Sequence, residues 1–165
     1  MSARMPRTGR VEAEVGATPE QVWAVLTDVT RIGEWSHECR TAQWLDGAGR
    51  AAVGARFRGA NKARFARWSK PCTITELEAP HRLAYRTNGG LMGDATEWTF
   101  SLEATGPGCR IVQCYEILSL PRAVEWAILR MVPEHLDRSS ALRQDLVRLG
   151  AVAAGQPVGS RAPQP

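Results

Sequence analysis

The sequence predicts an α+β fold in which a seven-stranded antiparallel sheet is covered on one face by a long C-terminal helix, with two short helices following the first strand. Three observations predict it. Segments of period-two hydrophobicity recur between turn signals from Cys39 to Leu118. A helix-start signature, Thr18-Pro19-Glu20-Gln21, follows an alternating strand. Finally, an apolar stripe of helical spacing runs from Pro121 to Leu149.

The first strand is VEAEV, Val11 to Val15, whose alternation places Val11, Ala13 and Val15 on one face and Glu12 and Glu14 on the other. Thr18 can then cap a helix, Pro19 suits its first position, and Gln21 can close a capping box, with Val22, Val25, Leu26 and Val29 turned inward. Thr30 to Trp35 reads as a second short helix interrupted by Gly33. Six further strands follow: Cys39 to Leu45, Ala55 to Gly59, Trp68 to Leu77, Arg82 to Thr87, Ala95 to Glu103 and Arg110 to Leu118. Turn signals separate them at Asp46-Gly47, Gly59 to Asn61, Ala79-Pro80, Asn88 to Gly90 and Gly106 to Gly108. A meander of this kind must cover its apolar face. Val124, Ile128, Met131, Leu142, Leu146 and Leu149 supply the cover, and Pro133 should kink that helix or split it in two.

At 165 residues the chain fits one domain, expected over residues 10–150, with residues 1–9 and 151–165 as flexible termini. A net charge of +4 is mild, and of the 21 basic residues only Lys62 and Lys70 are lysine, a composition that fits a GC-rich genome. Nucleic-acid binding is therefore not expected, because it rests on clustered phosphate-facing charge. The segment Arg56, Arg58, Lys62, Arg64, Arg67 and Lys70 imitates such a surface, yet a hairpin with a charged outer face is the favoured reading. An acidic acyl carrier protein is another partner such a patch could meet. No stretch approaches the roughly 20 apolar residues of a membrane span, and Arg4, Arg7 and Arg10 precede no apolar run, so a cytoplasmic location is expected. Cys39, Cys72, Cys109 and Cys114 form no CxxC pair and stand at no metal spacing from a histidine. Neither a metal nor a cofactor is expected, and GxSxG, Walker-type and GxGxxG sequences are absent.

Several local sequences carry a resemblance: ATPEQVWAVLTDVTRIGEWS, Trp44-Leu45-Asp46-Gly47, GARFRGAN from Gly54, His81-Arg82-Leu83-Ala84-Tyr85, and Glu97-Trp98-Thr99-Phe100. From about Arg10 to Leu149 the chain resembles the START and birch-pollen-allergen-like (SRPBCC) superfamily, in particular its bacterial polyketide cyclase/dehydrase and lipid-transport group. The resemblance implies a helix-grip fold, in which the curved sheet and its long helix enclose a cavity. His37 departs from the pattern, standing after Trp35-Ser36 where related sequences commonly carry proline.

Alternation turns Phe57, Leu83, Tyr85, Thr87, Thr96, Trp98, Phe100, Ile111, Gln113, Tyr115 and Ile117 to one face, roofed by Val124, Ile128, Met131 and Val132. These residues either fill a core or, as the resemblance implies, wall a cavity for a small hydrophobic molecule such as a lipid, polyketide or aromatic compound. Trp35 and Trp68 read as wall residues or as packing for a short helix and a strand. A binding or carrier role follows, with a cyclase or dehydratase acting on a polyketide-like substrate as the alternative. Tyr85, Gln113 and Tyr115 are its catalytic candidates, since a phenol or amide on an apolar wall can stabilise an enolate. His37 and His135 are candidate general bases, whereas His81, beside Pro80 in a turn, belongs on the surface.

Overall fold

Thr18 starts the first helix as its spacing predicts. Its hydroxyl oxygen accepts from the Gln21 backbone N–H at 3.2 Å and the Gln21 side chain accepts from the Thr18 N–H at 2.9 Å, so two of the free donors at the helix start are satisfied. In the computed structural model, which describes residues 3–155, this helix is α1 (Pro19–Thr27), followed by a 3-10 helix over Val29–Glu34. Around it stand β1 (Thr8–Val15), β2 (Cys39–Trp44), β3 (Arg56–Ala63), β4 (Ala66–Glu78), β5 (Arg82–Asn88), β6 (Ala95–Thr105) and β7 (Gly108–Ser119). They form one antiparallel sheet in the order β1-β7-β6-β5-β4-β3-β2, so every link except that from β1 to β2 joins neighbours.

The C-terminal cover is divided: α2 (Arg122–Met131), a 3-10 turn over Pro133–Leu136, and α3 (Ser139–Ala153). Pro133 is the reason. The residue before a proline is driven out of the helical region, and Val132 stands at φ −136°, ψ 73°.

Three boundaries differ from expectation. The reversal expected at Gly59 to Asn61 falls instead at Arg64, whose φ is 52°, and β3 runs through to Ala63. Gly59 serves close approach: a Cβ there would stand 3.2 Å from the Cys39 sulfur on β2. At the N-terminus, Thr8 and Gly9 already belong to β1, the Ile117 N–H donates to the Arg7 carbonyl at 2.7 Å, and Met5 is buried. At the other end α3 continues past Leu149 to Ala153. The remaining expected termini, residues 1–2 and 156–165, lie outside the described residues.

The solid part of the core lies where α3 packs on β1 and α1. Val22, Ile111, Leu146 and Leu149 are inaccessible to solvent there, and Gly150 touches Val15 so closely that any Cβ would collide with that side chain. Leu146→Ala is therefore expected to cost about 3 kcal/mol in urea unfolding, and Gly150→Ala is expected to destabilise as well. A loss below about 1 kcal/mol for Leu146→Ala would show that this end is loosely packed.

Candidate functional site

While α3 is pressed onto the sheet, α2 rests chiefly on the Pro133–Leu136 turn and bridges a cavity of about 350 Å³. The sheet contributes Phe57, Tyr85, Thr87, Thr96, Trp98, Gln113 and Ile117 to its wall. From the cover come Val124, Ile128, Met131 and Val132, while Trp35 and Trp68 close the sides. His37 and His135 also line it, and His81 is exposed in the β4–β5 turn.

Four of the residues singled out in the sequence lie elsewhere, Ile111 among them in the solid core beside α3. Leu83 and Phe100 pack behind the wall, where Phe100 meets Trp35 edge-on and stacks on Tyr85. Tyr115 faces the same side of the sheet, but its ring leans over Gly9 on β1 and against Trp98, so it fills the gap that the glycine leaves.

Buried carboxylates tie the cavity's cover to the rest of the fold. Glu125, on the side of α2, accepts from the Met5 backbone N–H at 2.9 Å and from Arg7 at 3.4 Å, tying the helix to the N-terminal segment. Asp145 on α3 accepts from the His37 backbone N–H at 2.9 Å and from Arg148 at 3.0 Å, and its second oxygen lies 2.6 Å from His37 Nδ1. Glu38 meets His135 Nε2 at 2.6 Å and Arg138 Nη2 at 3.3 Å. Burial by itself would raise the Glu38 pKa, but the hydrogen bond from His135 and the charges of Arg138, His135 and His37 outweigh it and hold the carboxyl at about 2.

Sequence reasoning did not find Glu38, Arg138, Asp145 or the Lys70–Asp94 ion pair, all of which border the cavity. Lys70 was expected on the outer face of the hairpin; instead it turns to Asp94, which is anchored beside the β5–β6 loop. Asp145 did carry a signal, since it sits three residues from Leu142 and four from Leu149 on the apolar stripe. The rest of the basic hairpin is partly neutralised, with Arg56 on Asp46 and Arg64 on Glu134.

The thiols and the phenol of the wall stay neutral. Burial pushes the Cys39 thiol up to about 11 and Cys72 up to about 12, so both act as small apolar surfaces. Burial likewise raises Tyr85 well above its ordinary value, leaving its hydroxyl as a donor.

A helix laid across an antiparallel sheet over a polar-tipped apolar cavity defines a fold of the helix-grip class. The chain belongs to the polyketide cyclase/dehydrase and lipid-transport family, whose model matches residues 7–154. Its structure is similar to MLL2253 from Mesorhizobium loti (20% identity, TM-score 0.65, covering 92% of this chain and 100% of that one). It is also similar to TTHA0849 from Thermus thermophilus (19%, TM-score 0.67, covering 90% and 97%). A third similar structure is DynU16 of the dynemicin biosynthetic locus (16%, TM-score 0.62), of which this chain spans 49% while 92% of its own length is covered. No curated protein matches the sequence significantly. Among the described residues no helix is long and apolar enough to cross a membrane.

The low pKa of Glu38 sets an acid dependence. A carboxyl held at about 2 against an ordinary 4.5 stabilises the fold above about pH 4.5, and that contribution, about 3 kcal/mol, is lost as pH falls toward 2. Glu38→Gln should be less stable than the parent at pH 7 in urea unfolding, with the gap narrowing steadily from pH 5 to pH 2. A gap independent of pH would show that Glu38 is not held ionised by its partners.

Proposed function

We propose that the chain binds a small, largely apolar molecule in the cavity between α2 and the sheet, as a binding or carrier protein. The observation that carries this reading is the gap beneath α2, walled by Phe57, Trp98, Val124, Ile128 and Met131. Transfer of about 200 Å² of apolar ligand surface into such a wall contributes roughly 5 kcal/mol before the costs of association. Tyr85 and Gln113, at the same wall, would fix the ligand's orientation. The family and the fold support a role of this kind.

A second reading, a cyclase or dehydratase of polyketide-like substrates, is favoured by the His37–Asp145 pair. With Asp145 accepting from Nδ1–H, the His37 Nε2 keeps its lone pair and could take a proton at the cavity edge. In this reading Tyr85 and Gln113 would steady the enolate oxygen that forms, and an acyl carrier protein would present the substrate. His37→Ala would then slow turnover of a poly-β-ketone about 100-fold.

The neutral fluorophore N-phenyl-1-naphthylamine tests the first reading. Wild-type protein is expected to take it up with a large rise in emission, and Val124→Trp, which places an indole inside the cavity, should weaken uptake at least about tenfold with circular dichroism unchanged. No rise with the wild type, or equal affinity in the folded variant, would rule the cavity out as a binding site.

A further inference from the structure

The polar groups left unsatisfied at the cavity wall narrow the chemistry of what it takes. This inference rests on the reading just given, that the cavity holds an apolar molecule. Arg138 lies immediately before α3 and lines the cavity with its side chain only 10% exposed. A guanidinium carries five N–H donors, and burying it is costly unless those donors are engaged. Here Nη2 makes one long bond, 3.3 Å, to Glu38, while Nε is buried without a partner. Glu38 is itself held more tightly by His135, at 2.6 Å. The Arg138 guanidinium carbon lies over the Trp98 ring, 5.1 Å from its centre, and 5.6 Å from that of Tyr115, so aromatic faces rather than a full set of acceptors surround the charge.

Other unsatisfied groups gather around it. Gln113 is 5% exposed and its Oε1 has no hydrogen-bond partner; Trp35, also 5% exposed, has its indole N–H in the same condition. Strand register brings them to one place: Tyr85 pairs with Trp98, and Phe100, which Trp35 touches edge-on, pairs with Gln113. Buried polar groups are normally satisfied, so a cluster of orphans on a cavity wall marks where ligand atoms complete the set. Donors dominate this cluster: the Arg138 Nε–H and the Trp35 N–H, with the Tyr85 O–H on the same wall beside them. Their complement is an acceptor with two oxygens in a plane, and the charge of Arg138 favours an anionic one. Arg67, which has no ion pair among the described residues, adds a further cation at the cavity edge.

We propose that the ligand is an apolar acid, its hydrocarbon or aromatic body against Phe57, Trp98 and Ile128 and its carboxylate against Arg138, with Trp35 and Gln113 as neighbouring polar contacts. The test compares naphthalene-2-carboxylate with its methyl ester at pH 7.5, titrated into the whole chain by calorimetry. Wild-type protein should bind the carboxylate at least about tenfold more tightly than the ester, which matches it in shape but lacks the charge. Arg138→Gln should bring that ratio close to one with ester affinity changed less than about threefold, and Arg138→Lys should restore part of the preference. Because Glu38 loses a partner in these variants, folding is checked by circular dichroism. Should they unfold, Tyr85→Phe, which removes a hydroxyl donor from the wall, replaces them, with an expected loss of about threefold or more for the carboxylate and little change for the ester. Ester binding as tight as carboxylate binding in the wild type, or a preference that survives in folded Arg138→Gln, would overturn the acid assignment. So would binding of N-phenyl-1-naphthylamine when neither naphthalene probe binds, and each of these results leaves the apolar cavity standing. Failure of all three probes would overturn the cavity reading itself.

Discussion

The architecture depends on one constraint: the cover of the sheet is pinned at one end and held away at the other. Leu142, Leu146 and Leu149 bring α3 down onto β1 and α1, and the bare Gly150 lets Val15 approach the helix backbone. An unbroken helix would carry that contact along the sheet. Pro133 prevents it, because Val132 must leave the helical region and the chain turns after α2, before α3 takes its own direction. What remains under α2 is space that the wall side chains do not fill.

Charge placed inside then holds the hollow in shape. Glu125, Asp145 and Glu38 are each taken out of water, which is tolerable only with partners, and their partners sit on segments far away in sequence. The N-terminal segment is bound to α2, the end of the 3-10 helix to α3, and the entry to β2 to the Pro133–Leu136 turn. Each link joins the sheet side to the cover side. Arg138 is the exception that points to function, being buried with fewer acceptors than its guanidinium can use.

Much of the fold was legible because the signals were local and repeated. Period-two hydrophobicity marked all seven strands, the Thr18–Gln21 reciprocity marked α1, and Pro133 marked the break in the cover. Where a glycine was read as a turn, as at Gly59, the cause lay across the sheet in the Cys39 sulfur, which no local pattern encodes. The apolar wall was legible for the same reason as the strands: alternation placed Phe57, Tyr85, Trp98 and Gln113 on the inner face. It could not separate them from Tyr115, whose ring is drawn aside by the space over Gly9, or from Phe100, which lies one layer deeper. The charged residues of the wall were missed on physical grounds. A lone arginine or lysine belongs outside by default, and what brings Arg138 and Lys70 inward is Glu38 and Asp94, partners 100 and 24 residues away.

The central claim is that the space beneath α2 is empty of protein and accessible. A crystal of the protein under xenon pressure tests it directly, since xenon enters apolar cavities and is seen by its scattering. The account predicts strong density between Trp98 and Ile128, displaced when an apolar ligand is added. A centre in which α2 lies flat on the sheet, its side chains interlocked with Phe57 and Trp98 and no xenon bound, would contradict it.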